Sequence, residues 1–254
     1  MPFTLAHTAA ALPLRRVGLV WSALLVGTLA PDFEYFVRLA PDDGYGHTLP
    51  GTFLLTLPLA LVVLWLWHAA VKAPLFEFVP DEIRGKLAGV VGEFRFGSVA
   101  RFTWIVASIL IGISTHLLWD AFTHPNTWIY RSWPALRESH NLPVLGDTPV
   151  YKMFQHGSTV VGMSVLVIWV GCWYWSREVS AVPRDRSTSG IWILAVMVLI
   201  ASAVAVARAS AVTGIPINHV AQKRFVGLWV VTTIALMWWQ LVLYGFWRTR
   251  KTAR

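Results

Sequence analysis

The chain of 254 residues is 56% hydrophobic and only 13% charged, and its mean hydropathy is +0.57. Soluble domains carry about 25% charged residues, so the composition excludes an ordinary soluble protein and predicts an integral membrane protein. One cysteine, Cys172, excludes an intrachain disulfide and a zinc site built from several thiolates. The net charge of +8 does not indicate nucleic acid binding, because the basic residues lie mainly in loops beside apolar segments.

The amino-terminal segment, residues 3–30, predicts a helical hairpin with a helix over 3–13, a break from Pro13 to Arg16, and a helix over 17–30. At 1.5 Å per residue each arm is only about 15–20 Å long, which is too short to cross a bilayer. We therefore expect a re-entrant hairpin that enters and leaves on one face of the membrane. A signal peptide or twin-arginine leader is the alternative, since Arg15-Arg16 precedes an apolar run that ends in small residues.

Five later stretches have the roughly 20 apolar residues that a membrane crossing needs. They cover about 52–71, 103–122, 159–175, 191–212 and 226–247. The pattern predicts an all-α polytopic helix bundle, a single integral membrane domain over residues 1–254, with a partly helical cytoplasmic insert at 73–102.

The orientation follows from the loops. With 72–102 inside, alternation gives the inside segments twelve Lys and Arg residues and the outside loops six, which agrees with the excess of positive charge in cytoplasmic loops. Seven of the eight histidines then lie on the outer side, and only His68 lies at a cytoplasmic end.

The segment ISTHLLWDAFTHP carries His116, Asp120 and His124 at intervals of four residues. On an α-helix this spacing places the three side chains on one face. Because histidine and aspartate are unfavourable in an apolar segment and are common zinc ligands, the spacing predicts a metal site. The alternative for His116 and Asp120 is a hydrogen-bonded pair between helices. His124 precedes Pro125, where helices usually end, so its side chain can also leave the shared face.

Further polar residues are expected at the same outer level. Asp32 and Glu34 follow the hairpin, His47 precedes the first span, and His7 reaches this level through the hairpin. Each also has a plainer interpretation, as an interfacial, loop or turn-capping residue. Gln155 and His156 are possible additional site residues, while His140 and His219 fit ordinary loops. Arg208, in an apolar helix, either extends to the interface or binds phosphate.

Several stretches together resemble a bacterial membrane family catalogued as domain-of-unknown-function family 4184. They are PFTLAHTAAALPLRR, GTLAPDFEYFVR, GHTLPGTFLLTLPLAL, ISTHLLWDAFTHP and VYKMFQHGSTVVG. The resemblance covers most of residues 2–170 and implies a multi-pass protein of the bacterial inner membrane, but no activity.

The chain also contains a broader pattern: an amino-terminal His, then PD-x-[DE], a loop His and H-x3-D. In this pattern it resembles inner-membrane proteins described as predicted metal-dependent hydrolases. Its order is also similar to the ligand series of zinc-dependent phospholipase C and single-strand-specific nucleases. This resemblance implies that His7, Asp32, His47, His116 and Asp120 are metal ligands. A later His with an acid four residues on has no match, because His140 is followed by Val144 and His156 by Val160. One or two divalent ions, zinc by the ligand types, are therefore expected.

These residues and the resemblance predict a membrane-bound metal-dependent hydrolase of a lipid or lipid-linked phosphoester, with the site on the extracytoplasmic side and with Glu34 or His124 moving the proton. Two alternatives stay open. One is a non-catalytic scaffold whose metal fastens the hairpin to the bundle, and the other is a proton- or ion-coupled transporter that uses His116, Asp120 and Arg208.

Overall fold

The computed structural model describes residues 3–41, 44–88, 92–143, 146–180, 189–214 and 218–252. These residues are predominantly helical, and the strands among them form a two-stranded hairpin. The all-α fold class predicted from the sequence is confirmed.

The amino-terminal segment forms two helical pieces that pack against each other. A 3₁₀ helix at Thr4–Arg16 includes Pro13, and helix α1 follows at Trp21–Leu29. Between them Gly18 has a φ of 76°, which glycine adopts without a steric penalty. The predicted position of the break, Pro13 to Arg16, is wrong: the 3₁₀ helix continues through Pro13 to Arg16, and the break lies at residues 17–20. A 3₁₀ turn at Ala30–Asp32 then leads into helix α2 at Phe33–Arg38.

Among the described residues, five helices are long and apolar enough to cross a membrane. They are Leu49–Phe76, Val99–Ser132, Val150–Ser176, Gly190–Thr213 and His219–Lys251. Each contains one predicted stretch and extends beyond it at both ends, so the five predicted helices are confirmed. The chain therefore has the helices of a multi-pass membrane protein.

The first of these, α3 (Leu49–Phe76), follows a 3₁₀ turn at Tyr45–His47 and contains two π-helical stretches, Thr52–Thr56 and Trp67–Val71. The predicted insert at 73–102 is partly helical as expected. It includes the end of the α-helical piece Lys72–Phe78 and helix α4 at Asp81–Leu87. Residues 92–97 are not helical, and Ser98 caps the start of helix α5 at Val99–Thr123.

The remaining elements complete the chain. Helix α6 (Trp128–Ser132), a 3₁₀ turn (Pro134–Arg137) and the antiparallel strands β1 (Ser139–Leu142) and β2 (Gly146–Pro149) connect α5 to helix α7 (Val150–Ser176). Helices α8 (Ser189–Thr213) and α9 (His219–Thr252) follow. Helix α7 exposes large apolar side chains along its length, including Val160, Val167 and Ile168, which is typical of a lipid-facing surface.

The chain divides into two compact units. The first consists of Met1–Asp32, Gly46–Leu61 and Phe96–Ser176. In it α1 packs on α5, and the amino-terminal 3₁₀ helix packs on α7. Near the end of α5, Ala121 forms a small apolar core with Ile129 and Leu136.

The second unit consists of Phe33–Tyr45, Val62–Arg95 and Arg177–Arg254. Helices α8 and α9 pack together in it. Its buried apolar cluster contains Leu66, Ala70, Val71, Phe78, Leu241 and Val242.

Candidate metal centre

Helix α5 presents its buried polar residues on a single stripe. Ser108, Gly112, His116 and Asp120 follow one another at intervals of four residues, and all four are buried. A four-residue interval keeps side chains on one face of an α-helix. The stripe faces α1, so it carries His116 and Asp120 into the interior of the first unit.

Two glycines allow α1 and α5 to approach closely. A Cβ atom on Gly112 would lie 2.7 Å from the backbone nitrogen of Thr28, and one on Gly27 would collide with the carbonyl oxygen of Ile109. At the start of α1 the Ser108 Oγ accepts a hydrogen bond of 2.9 Å from the backbone N–H of Val20. Small residues on helix faces permit this kind of backbone approach in membrane proteins.

The close approach fixes the His116 ring. Its Nδ1 lies 2.8 Å from the carbonyl oxygen of Thr28. Because a carbonyl oxygen only accepts, Nδ1 carries the hydrogen and donates it, which leaves the Nε2 lone pair directed at the other polar residues. A backbone carbonyl that fixes the ring in this way is a common second partner of metal-binding histidines.

The nitrogens of His47 and His116 alternate with carboxylate oxygens of Asp32 and Asp120 around one small space. His47 Nε2 lies 3.5 Å from Asp32 Oδ1 and 3.5 Å from Asp120 Oδ2. His116 Nε2 lies 3.7 Å from the same Asp32 oxygen and 3.2 Å from the same Asp120 oxygen. Neighbouring ligands of a zinc ion, with bonds of about 2.0–2.1 Å, are about 3.3 Å apart. The four separations therefore agree with the spacing of a coordination shell.

His7 lies on the other side of Asp120. Its Nε2 is 3.5 Å from Asp120 Oδ1, and its ring stacks on that of His116 with 3.9 Å between centroids. Two groups of three have one ligand atom each within 4.8 Å of one another: His7 with His116 and Asp120, and Asp32 with His47 and His116. Because His116 belongs to both groups, the two groups form one candidate metal site.

Several polar atoms of the cluster are buried without a hydrogen bond. Among the described residues, no hydrogen-bond partner is found for His7 Nδ1, Asp32 Oδ1, His116 Nε2 or His124 Nε2. A buried polar group left without a partner costs about 1–3 kcal/mol. Of these atoms, Asp32 Oδ1 and His116 Nε2 border the shared space, where a bound cation would satisfy both, so the donor set fits a divalent metal of the zinc type.

The ionisation of the residues outside the spans also suits a cation. Burial, together with neighbouring His116, lowers the pKa of His7 to about 4, so its ring is neutral and its lone pair available at pH 7. Burial alone would raise the pKa of Asp32, but the nearby imidazoles of His47 and His116 and the hydrogen bond from Thr4 lower it, so it is a carboxylate. Burial alone would lower the pKa of His47, whereas the carboxylates of Asp120 and Asp32, each 3.5 Å from its Nε2, raise it to about 10. A metal ion would replace that proton.

Short segments hold Asp32 and His47 in place. Thr4 Oγ1 donates a hydrogen bond of 2.6 Å to Asp32 Oδ2, so the amino-terminal 3₁₀ helix supports this carboxylate. The helix is itself seated on α7, where Thr159 Oγ1 accepts a hydrogen bond of 3.2 Å from the backbone N–H of Phe3. Thr56 Oγ1 donates to the carbonyl oxygen of Gly46 at 3.0 Å, which fixes the turn that carries His47.

His124 joins the cluster although it lies outside the helix. Helix α5 ends at Thr123, as Pro125 predicts, and His124 has extended backbone angles. Its Nδ1 is nevertheless 3.3 Å from Asp120 Oδ1 and 3.1 Å from Thr123 Oγ1. The ring therefore borders the site from the end of the helix.

The other candidate residues have different surroundings. Glu34, in the second unit, is largely buried, and its Oε1 accepts a hydrogen bond of 3.2 Å from Arg38. Arg208, also in the second unit, donates to Thr232 Oγ1 at 3.0 Å. On α7 the carbonyl oxygen of Gln155 accepts hydrogen bonds from Ser158 and Thr159, and His156 is exposed. His140 on β1 and His219 at the start of α9 are also exposed.

Sequence reasoning missed the residues that support the cluster. Thr4 and the carbonyl of Thr28 contact Asp32 and His116 through the tertiary fold, and no local pattern marks either residue. The small residues Ser108 and Gly112, respectively two turns and one turn before His116, are a signal that could have been found. Their four-residue spacing predicts a close helix contact on the face that carries His116.

A family model described as Domain of unknown function (DUF4184) matches residues 1–246. Searches of curated proteins and of solved structures found no match to the chain.

Proposed function

We propose that this chain, which belongs to the family described as Domain of unknown function (DUF4184), is a membrane-bound metal-dependent hydrolase of a phosphoester in a lipid or lipid-linked substrate. The observation that carries the proposal is the buried cluster of His7, Asp32, His47, His116 and Asp120. Five metal-ligand side chains converge there, and several of their atoms have no hydrogen-bond partner among the described residues.

Zinc is the ion that these ligands favour, since imidazole and carboxylate groups bind it in catalytic sites that keep a position open. A zinc ion held there would lower the pKa of a water molecule to about 7 and so supply hydroxide at neutral pH. Hydrolysis would join a water oxygen to phosphorus and break the ester P–O bond. The departing alcohol oxygen takes up a proton.

The residues of the chain then have distinct tasks. The ion would be held by the five residues of the cluster, Asp32, His47, His116, Asp120 and His7. His124, which borders Asp120, is our candidate for moving the proton to the leaving group.

Two features support a lipid-like substrate. The cluster includes residues of α5, a candidate membrane span, and the neighbouring α7 exposes apolar side chains. A substrate that reaches such a site from the bilayer carries its own apolar portion. The resemblance to zinc-dependent phospholipase C points to the same class, as an argument by analogy.

The first experiment measures metal content by inductively coupled plasma mass spectrometry on purified full-length protein, before and after chelation and reloading with zinc. The same preparations are assayed for hydrolysis of fluorogenic phosphomonoesters and phosphodiesters with short and long alkyl groups. The variants are His116→Ala and Asp120→Asn. Their matched controls are His140→Ala and Asp147→Asn, which change exposed residues of the β-hairpin.

We expect at least about one equivalent of zinc in the wild type and both controls, little in the two site variants, and hydrolysis that follows the zinc content. Folded wild-type protein that neither contains nor takes up a transition metal would overturn the proposal. Zinc binding without hydrolysis of any phosphoester in the set would support the metal site and contradict the proposed hydrolase activity.

A second candidate function, a scaffold fastened by metal, is favoured by where the ligands come from. They lie on the amino-terminal 3₁₀ helix, the Ala30–Asp32 turn, the Tyr45–His47 turn and α5, so one ion would tie four chain segments together. A variant of His124, such as His124→Gln, separates the two functions. Unchanged zinc content with a rate at least about 100-fold lower supports catalysis.

A further inference from the structure

An apolar pocket of about 360 Å³ lies beside the metal cluster in the first unit. Its apolar wall comes from Ala10 on the 3₁₀ helix, Leu118, Trp119 and Phe122 on α5, and Phe154 on α7. The volume falls in the range of about 300–1,000 Å³ that is typical of small-molecule sites. It is therefore large enough for part of a ligand and not only for water.

Two residues belong both to the pocket and to the edge of the cluster. The Trp119 ring meets the His7 ring edge-on, with 5.5 Å between centroids. Thr123 Oγ1 lies 3.5 Å from Asp120 Oδ1 and 3.1 Å from His124 Nδ1. Trp119 and Thr123 therefore form the wall between the pocket and the charged site, and each contacts a residue of that site.

The other end of the pocket is apolar and open. Leu118 is 55% exposed and Phe154 is 46% exposed, and both lie on candidate membrane spans. A molecule that occupies the pocket therefore lies one side chain away from the carboxylates and imidazoles at one end and meets a lipid-facing surface at the other. This change of polarity over a short distance matches an amphipathic molecule. A sugar or a nucleobase would lose hydrogen bonds to water against these walls.

We propose that this pocket binds one aliphatic chain of the substrate, with the phosphoester of the same molecule at the metal cluster. The proposal rests on the proposed hydrolase function and narrows its substrate to phosphoesters of long-chain alcohols or acylated lipids. The pocket then selects by chain length, because each buried methylene adds about three- to fourfold in affinity until the pocket is full.

The test uses n-alkyl phosphonates of 4 to 12 carbons, whose P–C bond is not hydrolysed, as inhibitors of the zinc-loaded full-length protein. Ser158→Phe and Ala10→Leu fill the pocket from two different elements. Val160→Phe is the matched control, because Val160 lies two residues from Ser158 on α7, is exposed, and does not line the pocket. Zinc content, measured for every variant, verifies that the cluster has formed.

We expect inhibition to strengthen by about three- to fourfold per methylene in the wild type and in Val160→Phe. In the two filled variants the dependence on chain length disappears, while the shortest phosphonate binds as before. Chain-length dependence that both filled variants retain in full would overturn the proposal, and so would its absence in an active wild type. The hydrolase function would stand in either case.

A second readout does not need activity. A decyl phosphonate with a terminal diazirine is photolysed with each protein, and the labelled residues are identified by mass spectrometry. We expect labelling of Leu118 to Phe122 in the wild type and Val160→Phe, and at least tenfold less in Ser158→Phe and Ala10→Leu. Such labelling in a protein without hydrolase activity would support the pocket as a binding site for an aliphatic chain and would contradict the hydrolase function. Labelling that both filled variants leave unchanged would overturn the chain site.

Discussion

The polar cluster of the first unit and the α8–α9 helix pair of the second unit bury different chemistry. In the first unit His7, Asp32 and His116 are almost completely inaccessible, and several of their atoms lack a hydrogen bond among the described residues. In the second unit the residues buried on α8 are Ala201, Ala205 and Ala209. Its polar side chains on α8 and α9 include hydrogen-bonded pairs, Arg208 with Thr232 and Trp229 with Ser202.

This difference distinguishes residues that serve helix packing from residues that are suited to binding a ligand. Small buried residues and satisfied polar pairs are sufficient to hold α8 and α9 together in an apolar environment. The imidazoles and carboxylates of the first unit are an unfavourable way to fill an interior, because burial of unsatisfied or charged groups opposes folding. A metal ion bound by these groups would compensate for that unfavourable burial. The following predictions test that contrast, from the largest effect to the smallest.

The largest effect is expected for zinc itself. Zinc at 1,000 times its dissociation constant should stabilise the wild type by about 4 kcal/mol, because it binds the folded site and not the unfolded chain. Thermal unfolding followed by circular dichroism, with and without zinc, measures this. His116→Ala should show no zinc-dependent shift, whereas Thr232→Val in the second unit should keep the full shift. An equal shift in His116→Ala would mean that zinc binds elsewhere.

Disruption of the close contact between α1 and α5 should have the next largest effect. In Gly112→Ala the new Cβ would lie 2.5 Å from the carbonyl oxygen of Leu24 and 2.7 Å from the nitrogen of Thr28, so α1 must move. We expect a loss of about 1–3 kcal/mol in the free energy of unfolding, together with weaker zinc binding. Gly157→Ala is the control, because its Cβ meets nothing within 4 Å. A Gly112→Ala protein as stable as this control would contradict the close packing.

Loss of the hydrogen bond from Thr4 to Asp32 should have a smaller effect, and this effect should be limited to the affinity for zinc. Thr4→Val removes the donor to Asp32 Oδ2 and keeps the shape of the side chain. Loss of such a supporting partner typically lowers metal affinity about 10- to 100-fold. Competition with a zinc-binding dye measures this affinity. Thr8→Val, whose hydroxyl bonds only the nearby carbonyl of Leu5 among the described contacts, should leave it unchanged.

The smallest effect is expected for a substitution in the second unit, which should lower stability only slightly. Thr232→Val removes the acceptor of Arg208 inside the α8–α9 pair. We expect about 0.5–1.5 kcal/mol lower stability, the contribution of an ordinary hydrogen bond, with zinc content and hydrolysis unchanged. A large loss of hydrolysis in this variant would instead support the interpretation of Arg208 as a phosphate-binding residue.

The sequence alone determined the helices and the ligand types. The five apolar stretches predicted the five long helices because bilayer thickness fixes the length of such a segment. The four-residue spacing predicted that His116 and Asp120 share a face, since helix geometry is local. The end of α5 before Pro125 followed from the same local rules.

Only the tertiary structure decided how these residues meet. His7, Asp32 and His47 lie far from His116 along the chain, and their convergence depends on α1 and α5 packing through Gly27 and Gly112. The carbonyl of Thr28 that fixes the His116 ring exists as a partner only in that packing. Spacing along one helix is set by the backbone within a few residues, whereas a site built from several segments is set by the contacts between them.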